Sequence, residues 1–146
     1  DKLRGMGIDL IIVVAFGEIL SKDILDIPKI GCINLHASLL PKYRGASPVA
    51  RALMKGEQVT GLTTFWLEEG IDSGDIIFQE KVPILEGDTR GILEERMSGQ
   101  GGRLLLKTVK DGLGTRIPQD DSCAVYAPKL KKSERIINWQ EDAAVI

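Results

Sequence analysis

The stretch LIIVVAF, from Leu10 to Phe16, is a continuous run of apolar residues in a chain of 146 residues. A run of this kind, rich in β-branched side chains, is typical of a strand that is buried on both faces of a parallel sheet. Gly17 ends the strand, a short helix capped by Ser21 follows, and a second strand begins near Ile30. The order strand, helix, strand predicts an α/β fold.

Three further segments carry clear helix or strand signals. Ser47 is a suitable N-cap, and Pro48 a suitable first residue, for a helix that we expect to end at Lys55. The segments GLTTFWLEE from Gly61 and DIIFQEKVPI from Asp75 are rich in strand-forming residues. They predict two neighbouring strands with an acidic loop that contains GIDSG between them.

A longer helix is predicted from about Thr89 towards Lys110, with Asp88 as its N-cap. Its middle contains the glycine-rich stretch GQGG, residues 99–102. Glycine is unfavourable in a helix interior because it loses more backbone entropy than any other residue on folding. We therefore expect the helix to bend or break at this point.

The chain changes character after Gly114, where polar residues and prolines dominate. The change predicts a core at residues 1–113 and an extended linker at residues 114–146, in which only IINW has a strand-like pattern. The linker contains the basic run PKLKKSER, which is interpreted as a solvated surface. Contact of its lysines and arginine with nucleic acid phosphates is the alternative.

The composition limits the class of protein. The chain is 43% hydrophobic and 27% charged, with a formal net charge of -2, which is ordinary for a globular domain and does not demand a nucleic acid partner. Cys32 and Cys123 are far apart and are expected to be free thiols of an intracellular protein. No apolar run approaches the roughly 20 residues of a membrane span. We expect a cytoplasmic protein with no membrane contact.

The segment INLHASLLPKYRG, from Ile33 to Gly45, contains the only histidine of the chain. If INLH is a strand, Asn34 and His36 point to the same face near its carboxyl end, where α/β sheets bind ligands. An amide beside an imidazole suits a developing oxyanion, which favours acyl-type transfer. From the residues alone, a histidine that only packs at the end of a strand is the competing interpretation.

Four carboxylates in the loop EEGIDSGD could orient the imidazole, namely Glu68, Glu69, Asp72 and Asp75. Their spacing does not choose among them. The loop does not follow the calcium-binding pattern, and one histidine with two distant cysteines cannot supply an ordinary zinc ligand set. The sequence therefore predicts no metal site.

Two motifs taken together carry a family resemblance over nearly the whole chain. NLHASLLPKYRGASP followed by TGLTTFWLEEGIDSGDII resembles the formyltransferases that use 10-formyltetrahydrofolate, whose motifs are N-x-H-x-S-L-L-P and D-x-G-D. KYRGASP and the tail IPQDDSCAVYAPKLKKSERIINW are similar to the members that act on methionyl-tRNA. The resemblance implies a Rossmann-like catalytic domain with a mainly parallel sheet. We expect this chain to lack the preceding α/β half of that domain and the terminal β-barrel.

The resemblance also implies the roles of individual residues. Asn34 and His36 stabilise the oxyanion formed when an amine attacks the formyl carbon, and Asp72 orients His36 and helps to move the proton that the amine loses. The folate lies between apolar residues after the first strand, the SLLP segment and the acidic loop. The implied folate contacts are Phe16, Ile19, Leu20, Ser38, Leu39, Leu40, Pro41, Glu68, Glu69 and Ile71.

The expected partners are 10-formyltetrahydrofolate as the formyl donor and initiator methionyl-tRNA as the acceptor, in translation initiation. Other readings stay open. The acceptor could be another amine, such as an amino sugar nucleotide, or the domain could hydrolyse 10-formyltetrahydrofolate, since FWLEEGIDSGD also resembles such hydrolases. A truncated, catalytically silent folate-binding fragment is the third reading. Because LIIVVAF is patterned for burial, we also expect self-association over an exposed sheet edge or marginal stability.

Overall fold

Four strands and three α-helices build the computed structural model, which describes residues 2–142 apart from the side chain of Arg135. In chain order they are β1 Leu10–Val14, α1 Lys22–Leu25, β2 Gly31–His36, α2 Pro48–Met54, β3 Val59–Trp66, β4 Ile76–Pro83 and α3 Arg90–Lys107. The strands lie side by side in the order of their labels. Strand β1 runs parallel to β2, whereas the pairs β2–β3 and β3–β4 are antiparallel.

The predicted α/β class is confirmed, and the expected strands near Ile30, from Gly61 and from Asp75 all form, as does the helix that begins at Pro48. The sheet is mixed, however, where we expected a mainly parallel one. Residues 67–75 join β3 to β4, and they are fewer than the dozen or so residues that a parallel crossover needs. The short loop therefore requires an antiparallel pair.

Helix α3 runs without a break through residues 99–102, so the expected bend is wrong. Close packing accounts for the glycine at position 101, because a Cβ there would lie 2.7 Å from Cδ2 of Leu35 on β2. The small residue lets the helix approach the sheet closely. The N-cap is Thr89, whose side chain accepts a hydrogen bond from the amide of Ile92, and not Asp88, which pairs with Arg96.

The two faces of the sheet pack against different parts of the protein. One face packs against α2 and α3 in the largest apolar cluster, formed by Val49, Leu62, Val82, Leu93, Met97 and Leu104. Strand alternation places Asn34 and His36 of β2 on the opposite face, where Leu40, Phe65 and Ile76 form a smaller cluster. The polar residues of β2 are thus held at a face that the long helix does not cover.

Backbone hydrogen bonds join residues 117–127 to the segment that follows β2. The amide of Arg44 donates to the carbonyl of Val125 at 2.8 Å, and the amide of Ala127 donates to the carbonyl of Arg44 at 2.7 Å. Ala127 is fully buried. The domain boundary after residue 113 stays a prediction, but this part of the expected linker packs along the segment that follows β2.

The short strand expected at IINW does not form, and residues 136–139 have no strand partner within the described part of the chain. Ile136 and Trp139 are both largely exposed. Apolar residues alone do not make a strand, because a strand also needs a neighbour that satisfies its backbone groups.

Candidate active site

His36 is the last residue of β2, and its side chain is buried. Its Nε2 atom lies 2.8 Å from the backbone carbonyl of Tyr43. A carbonyl oxygen can only accept, so Nε2 is the donor and carries a hydrogen in both the neutral and the charged form of the ring. Nδ1 is therefore the ring nitrogen that can exchange a proton.

Asp72 is the carboxylate that approaches this nitrogen. Its Oδ2 atom lies 3.5 Å from Nδ1 of His36 and accepts a hydrogen bond of 2.7 Å from the amide of Gly45. A separation of 3.5 Å is longer than an ordinary hydrogen bond, but it keeps the carboxylate next to the imidazole. The arrangement suits the transfer of a proton at this point.

The other acidic residues of the loop point elsewhere. Glu68 is exposed, Glu69 lies 3.7 Å from Nζ of Lys22, and Asp75 lies 3.6 Å from Nη1 of Arg116. Among the four carboxylates that the sequence left open, the structure thus brings Asp72 to the histidine. Its neighbour Gly74 is required by a close approach, because a Cβ there would lie 1.9 Å from the carbonyl oxygen of Trp66.

Asn34 lies two residues before His36 on the same strand face. Its side-chain oxygen is buried and has no hydrogen-bond partner among the residues that the structure describes. Buried amide groups without a partner are rare in native proteins. The side-chain oxygen of Asn34 can therefore accept a hydrogen bond from a bound ligand.

The SLLP segment after β2 supports the site from within. Ser38 is fully buried, its hydroxyl donates to the carbonyl of Lys42, and its own carbonyl accepts from the hydroxyl of Thr63. Leu40 packs against Phe65 and Ile76. The side chains of Ser38 and Leu40 are thus engaged in packing, whereas those of Leu39 and Pro41 are partly exposed.

The other expected folate contacts lie on the surface of the described chain. Phe16, Ile19 and Ile71 are exposed apolar side chains, and Leu20 is half-buried. Glu68 and Glu69 line a cleft of about 450 Å³. None of the three expected catalytic residues lines this cleft. The structure thus brings Asp72 to His36, and the expected folate contacts stay a prediction.

Cys32 lines the same cleft, two residues before Asn34 on β2. Burial raises the pKa of its thiol. The thiol is therefore kept in its neutral form, which is a poor nucleophile. This is the pattern of a packed cysteine rather than a reactive one.

Sequence reasoning missed three residues at the site, Tyr43, Arg44 and Gln119, although all lie within segments that it singled out. Tyr43 provides the carbonyl that holds His36, and burial together with a hydrogen bond to Glu57 raises the pKa of its phenol to about 12. Arg44 is only 3% exposed, and its guanidinium donates to Gln119 of the tail. A buried arginine needs an acceptor, but the sequence does not identify which residue supplies it.

Neither a metal site nor a membrane span is present within residues 2–142. No group of three or more histidine, cysteine, aspartate or glutamate side chains in this range could hold a metal ion. No helix in this range is both long enough and apolar enough to cross a bilayer.

Several known sequences that are similar to this chain carry the same name. Residues 1–109 match the family described as "Formyl transferase". Methionyl-tRNA formyltransferase of Moorella thermoacetica is 50% identical over 149 residues, which cover 100% of this chain and 48% of the relative. The protein of the same name from Syntrophus aciditrophicus is 48% identical over 94% of this chain and 45% of its own length. The chain spans about half the length of the curated relatives it matches.

Solved structures show the same fold. The formyltransferase PseJ from Anoxybacillus kamchatkensis, in complex with UDP-4,6-dideoxy-4-formamido-L-AltNAc and tetrahydrofolate, matches with a TM-score of 0.77 and 28% identity. That match covers 89% of this chain and 69% of the other. Phosphoribosylglycinamide formyltransferase from Streptococcus pneumoniae matches with a TM-score of 0.69 and 30% identity, over 75% of this chain and 61% of the other.

Proposed function

Because this chain belongs to the formyl transferase family, we propose that it transfers the formyl group of 10-formyltetrahydrofolate to the amino group of initiator methionyl-tRNA. The observation that carries this proposal is the approach of Asp72 to Nδ1 of His36, on the strand that also bears Asn34. Relatives named methionyl-tRNA formyltransferase, at 45–50% identity over nearly all of the chain, support the choice of acceptor.

The proposed reaction forms a bond between the amine nitrogen and the formyl carbon, breaks the bond from that carbon to the folate nitrogen, and moves one proton from the amine to that folate nitrogen. We propose that Nδ1 of His36 and the carboxylate of Asp72, which lie 3.5 Å apart, carry that proton. The Asn34 side chain provides an amide donor for the formyl oxygen as negative charge develops on it. Gly45 keeps Oδ2 of Asp72 in place.

The donor is proposed to bind beside this group of residues. Exposed apolar side chains at Phe16, Ile19 and Ile71 suit the flat ring of a folate. The unpaired oxygen of Asn34 suits a ligand that carries a hydrogen-bond donor. Contacts from Ser38 and Leu40 belong to their backbone, since their side chains are buried.

Several wider features are part of the same proposal. We propose a catalytic core at residues 1–113 and a connecting segment from residue 114 onwards, with the reaction taking place in the cytoplasm. Strand β1 lies at the edge of the described sheet, and its Ile12 and Val14 side chains are about half exposed. We propose that this edge pairs with a second copy of the chain.

The first test is formyl transfer from 10-formyltetrahydrofolate to methionyl-tRNA by the 146-residue chain. His36→Ala and Asp72→Asn are each expected to lower kcat by about 100- to 10,000-fold, the usual range for the loss of a positioned acid or base. Asp23→Asn, at an exposed position on α1, is the matched control and should leave kcat unchanged.

The acceptor is tested in the same assay. Transfer to an amino sugar nucleotide but not to methionyl-tRNA would assign a different acceptor, and formate release without any acceptor would assign a hydrolase. Folate binding without turnover by the parent chain would contradict the proposed activity of this chain. Equal activity of the parent and the His36→Ala variant would contradict the proposed site.

A further inference from the structure

The side chain of Gln119 bridges two segments that lie far from it in sequence. Its Oε1 atom accepts hydrogen bonds from Nε and Nη2 of Arg44, at 3.0 and 2.7 Å. Its Nε2 atom donates to the backbone carbonyls of Asp72 and Gly74, at 2.9 and 2.7 Å. Both ends of the amide are therefore fully used.

The chemistry of these partners fixes the orientation of the amide. A guanidinium only donates hydrogen bonds and a carbonyl only accepts them, so the oxygen must face Arg44 and the nitrogen must face the loop. Glutamate has nearly the same shape as glutamine but, when ionised, it can only accept. A glutamate at position 119 could thus keep the bonds to Arg44 and would lose the bonds to the loop.

We propose that Gln119 is a positioning residue for Asp72, an inference that rests on the function proposed above. Asp72 has a φ of +48°, in the left-handed region that residues other than glycine rarely adopt. Hydrogen bonds from Gln119 to the carbonyls on both sides of Ser73 hold the loop in this conformation. They thereby determine where the carboxylate of Asp72 points.

Arg44 connects the hydrogen bonds of Gln119 to a second interaction that holds Asp72. The residue after it, Gly45, donates its amide to Oδ2 of Asp72, so the loop is held through its backbone by Gln119 and through its carboxylate by Gly45. Arg44 is itself fixed, since its guanidinium also bonds Asp121 and its backbone bonds Val125 and Ala127. The segment 117–127 thus sets both supports of the acidic residue.

The inference predicts distinct effects of Gln119→Ala and Gln119→Glu in the 146-residue chain. Both variants should lower kcat by about 10- to 100-fold, as expected when a reacting group is displaced, with little change in KM for methionyl-tRNA. Both should also speed hydrogen exchange of the Gly45 amide and shift the imidazole NMR signal of His36, the only histidine. Neither of these last two readouts requires turnover.

Controls separate positioning from general damage to the fold. Gln58→Ala makes the same chemical change at an exposed position and should alter none of the readouts. Slow exchange of the amides of Leu93 and Leu104 in α3 should persist in the Gln119 variants, which shows that the core remains folded. Gln119→Glu retains the acceptor for Arg44 and so serves if Gln119→Ala does not fold.

The outcomes for the two proposals can be told apart. Unchanged exchange at Gly45 in a folded Gln119→Glu variant would overturn the positioning role, whatever the activity. A parent chain that transfers no formyl group to any acceptor would contradict the proposed function. In that case, faster exchange at Gly45 would still assign Gln119 to the position of Asp72.

Discussion

Tyr43 shows how one residue serves the site through two different groups. Its carbonyl accepts the hydrogen bond from His36, and its backbone has a φ of +62°, in the left-handed region. Its hydroxyl donates to Glu57 at 2.7 Å, which fixes the ring. The side-chain bond therefore stabilises the backbone conformation that presents the carbonyl to the histidine.

This arrangement predicts a dependence of stability on alkaline pH. The pKa of Tyr43 is raised from 10.0 to about 12, so the folded protein holds the phenol proton more tightly than the unfolded chain does. The resulting stability is fully present below pH 10 and is lost as the pH rises towards 12. Urea unfolding between these values should show the loss in the parent and not in Tyr43→Phe.

Two comparisons make the test specific. Phenolate absorbance should show a titration step near pH 12 in Tyr126→Phe, in which Tyr43 is the only tyrosine of the chain. Parallel stability curves for the parent and Tyr43→Phe above pH 10 would contradict the assignment.

For individual residues, the sequence predicts side-chain positions that follow from local backbone geometry. It misses contacts between residues that are far apart in the chain. Asn34 and His36 share a face because strand alternation requires it. The choice of Asp72 among four carboxylates depends on the path of the loop, and Gln119 reaches that loop from the tail. No local pattern encodes either contact.

The glycines of α3 show that helix formation also depends on contacts that are distant in sequence. Gly101 faces Leu35 at a distance that leaves no room for a Cβ, whereas nothing lies within 4 Å of a Cβ built at Gly102. One glycine is required by packing, and its neighbour only lowers the helix propensity. The helix persists because its apolar face is buried against the sheet.

The two positions predict opposite effects of the same substitution. Gly101→Ala should lower the free energy of unfolding by up to about 2 kcal/mol, because the cost of overpacking against Leu35 is partly offset by the helix propensity of alanine. Gly102→Ala should raise it by about 0.5–1 kcal/mol, because alanine favours the helix. Urea denaturation of both variants measures the difference, and equal effects would show that the helix does not pack as closely as the structure indicates.

Elements were predicted well where burial and local signals agree. The helix that starts at Pro48 combines a proline at its first position with a packed face, and the strands around Thr63 and Phe78 combine strand-forming residues with a packed face. The run LIIVVAF was expected to be buried on both sides, but Ile12 and Val14 are 46% and 52% exposed because β1 has only one neighbour in the described sheet. The hydrophobic pattern predicts that a strand forms, but the neighbouring strands and helices determine how far its side chains are buried.

For the molecule as a whole, the open edge of β1 predicts self-association. An unpaired strand with exposed apolar side chains is a template for pairing with another chain. The sedimentation coefficient of the parent should rise with protein concentration, whereas the double variant Ile12→Lys with Val14→Lys should sediment as a monomer. Val59→Lys places a single lysine at the exposed start of β3 and is the control for a charge added away from β1.

A parent chain that sediments as a monomer at every concentration, with a high melting temperature that does not depend on concentration, would contradict this prediction. The sequence indicated the edge only through the pattern of β1, because the number of strands beside it is a property of the complete sheet.

The bonds from Gln119 also set an order of events during synthesis. A ribosome delivers residues 67–75 before residues 117–127, and domains can begin to fold while the chain is still emerging. The sheet and α3 are complete by Lys107, whereas the contacts that hold Asp72 and Arg44 arrive only with the later segment. We therefore expect an interrupted product that ends before residue 117 to contain all strands of the described sheet and α3 but to lack the contacts that hold Asp72 and Arg44.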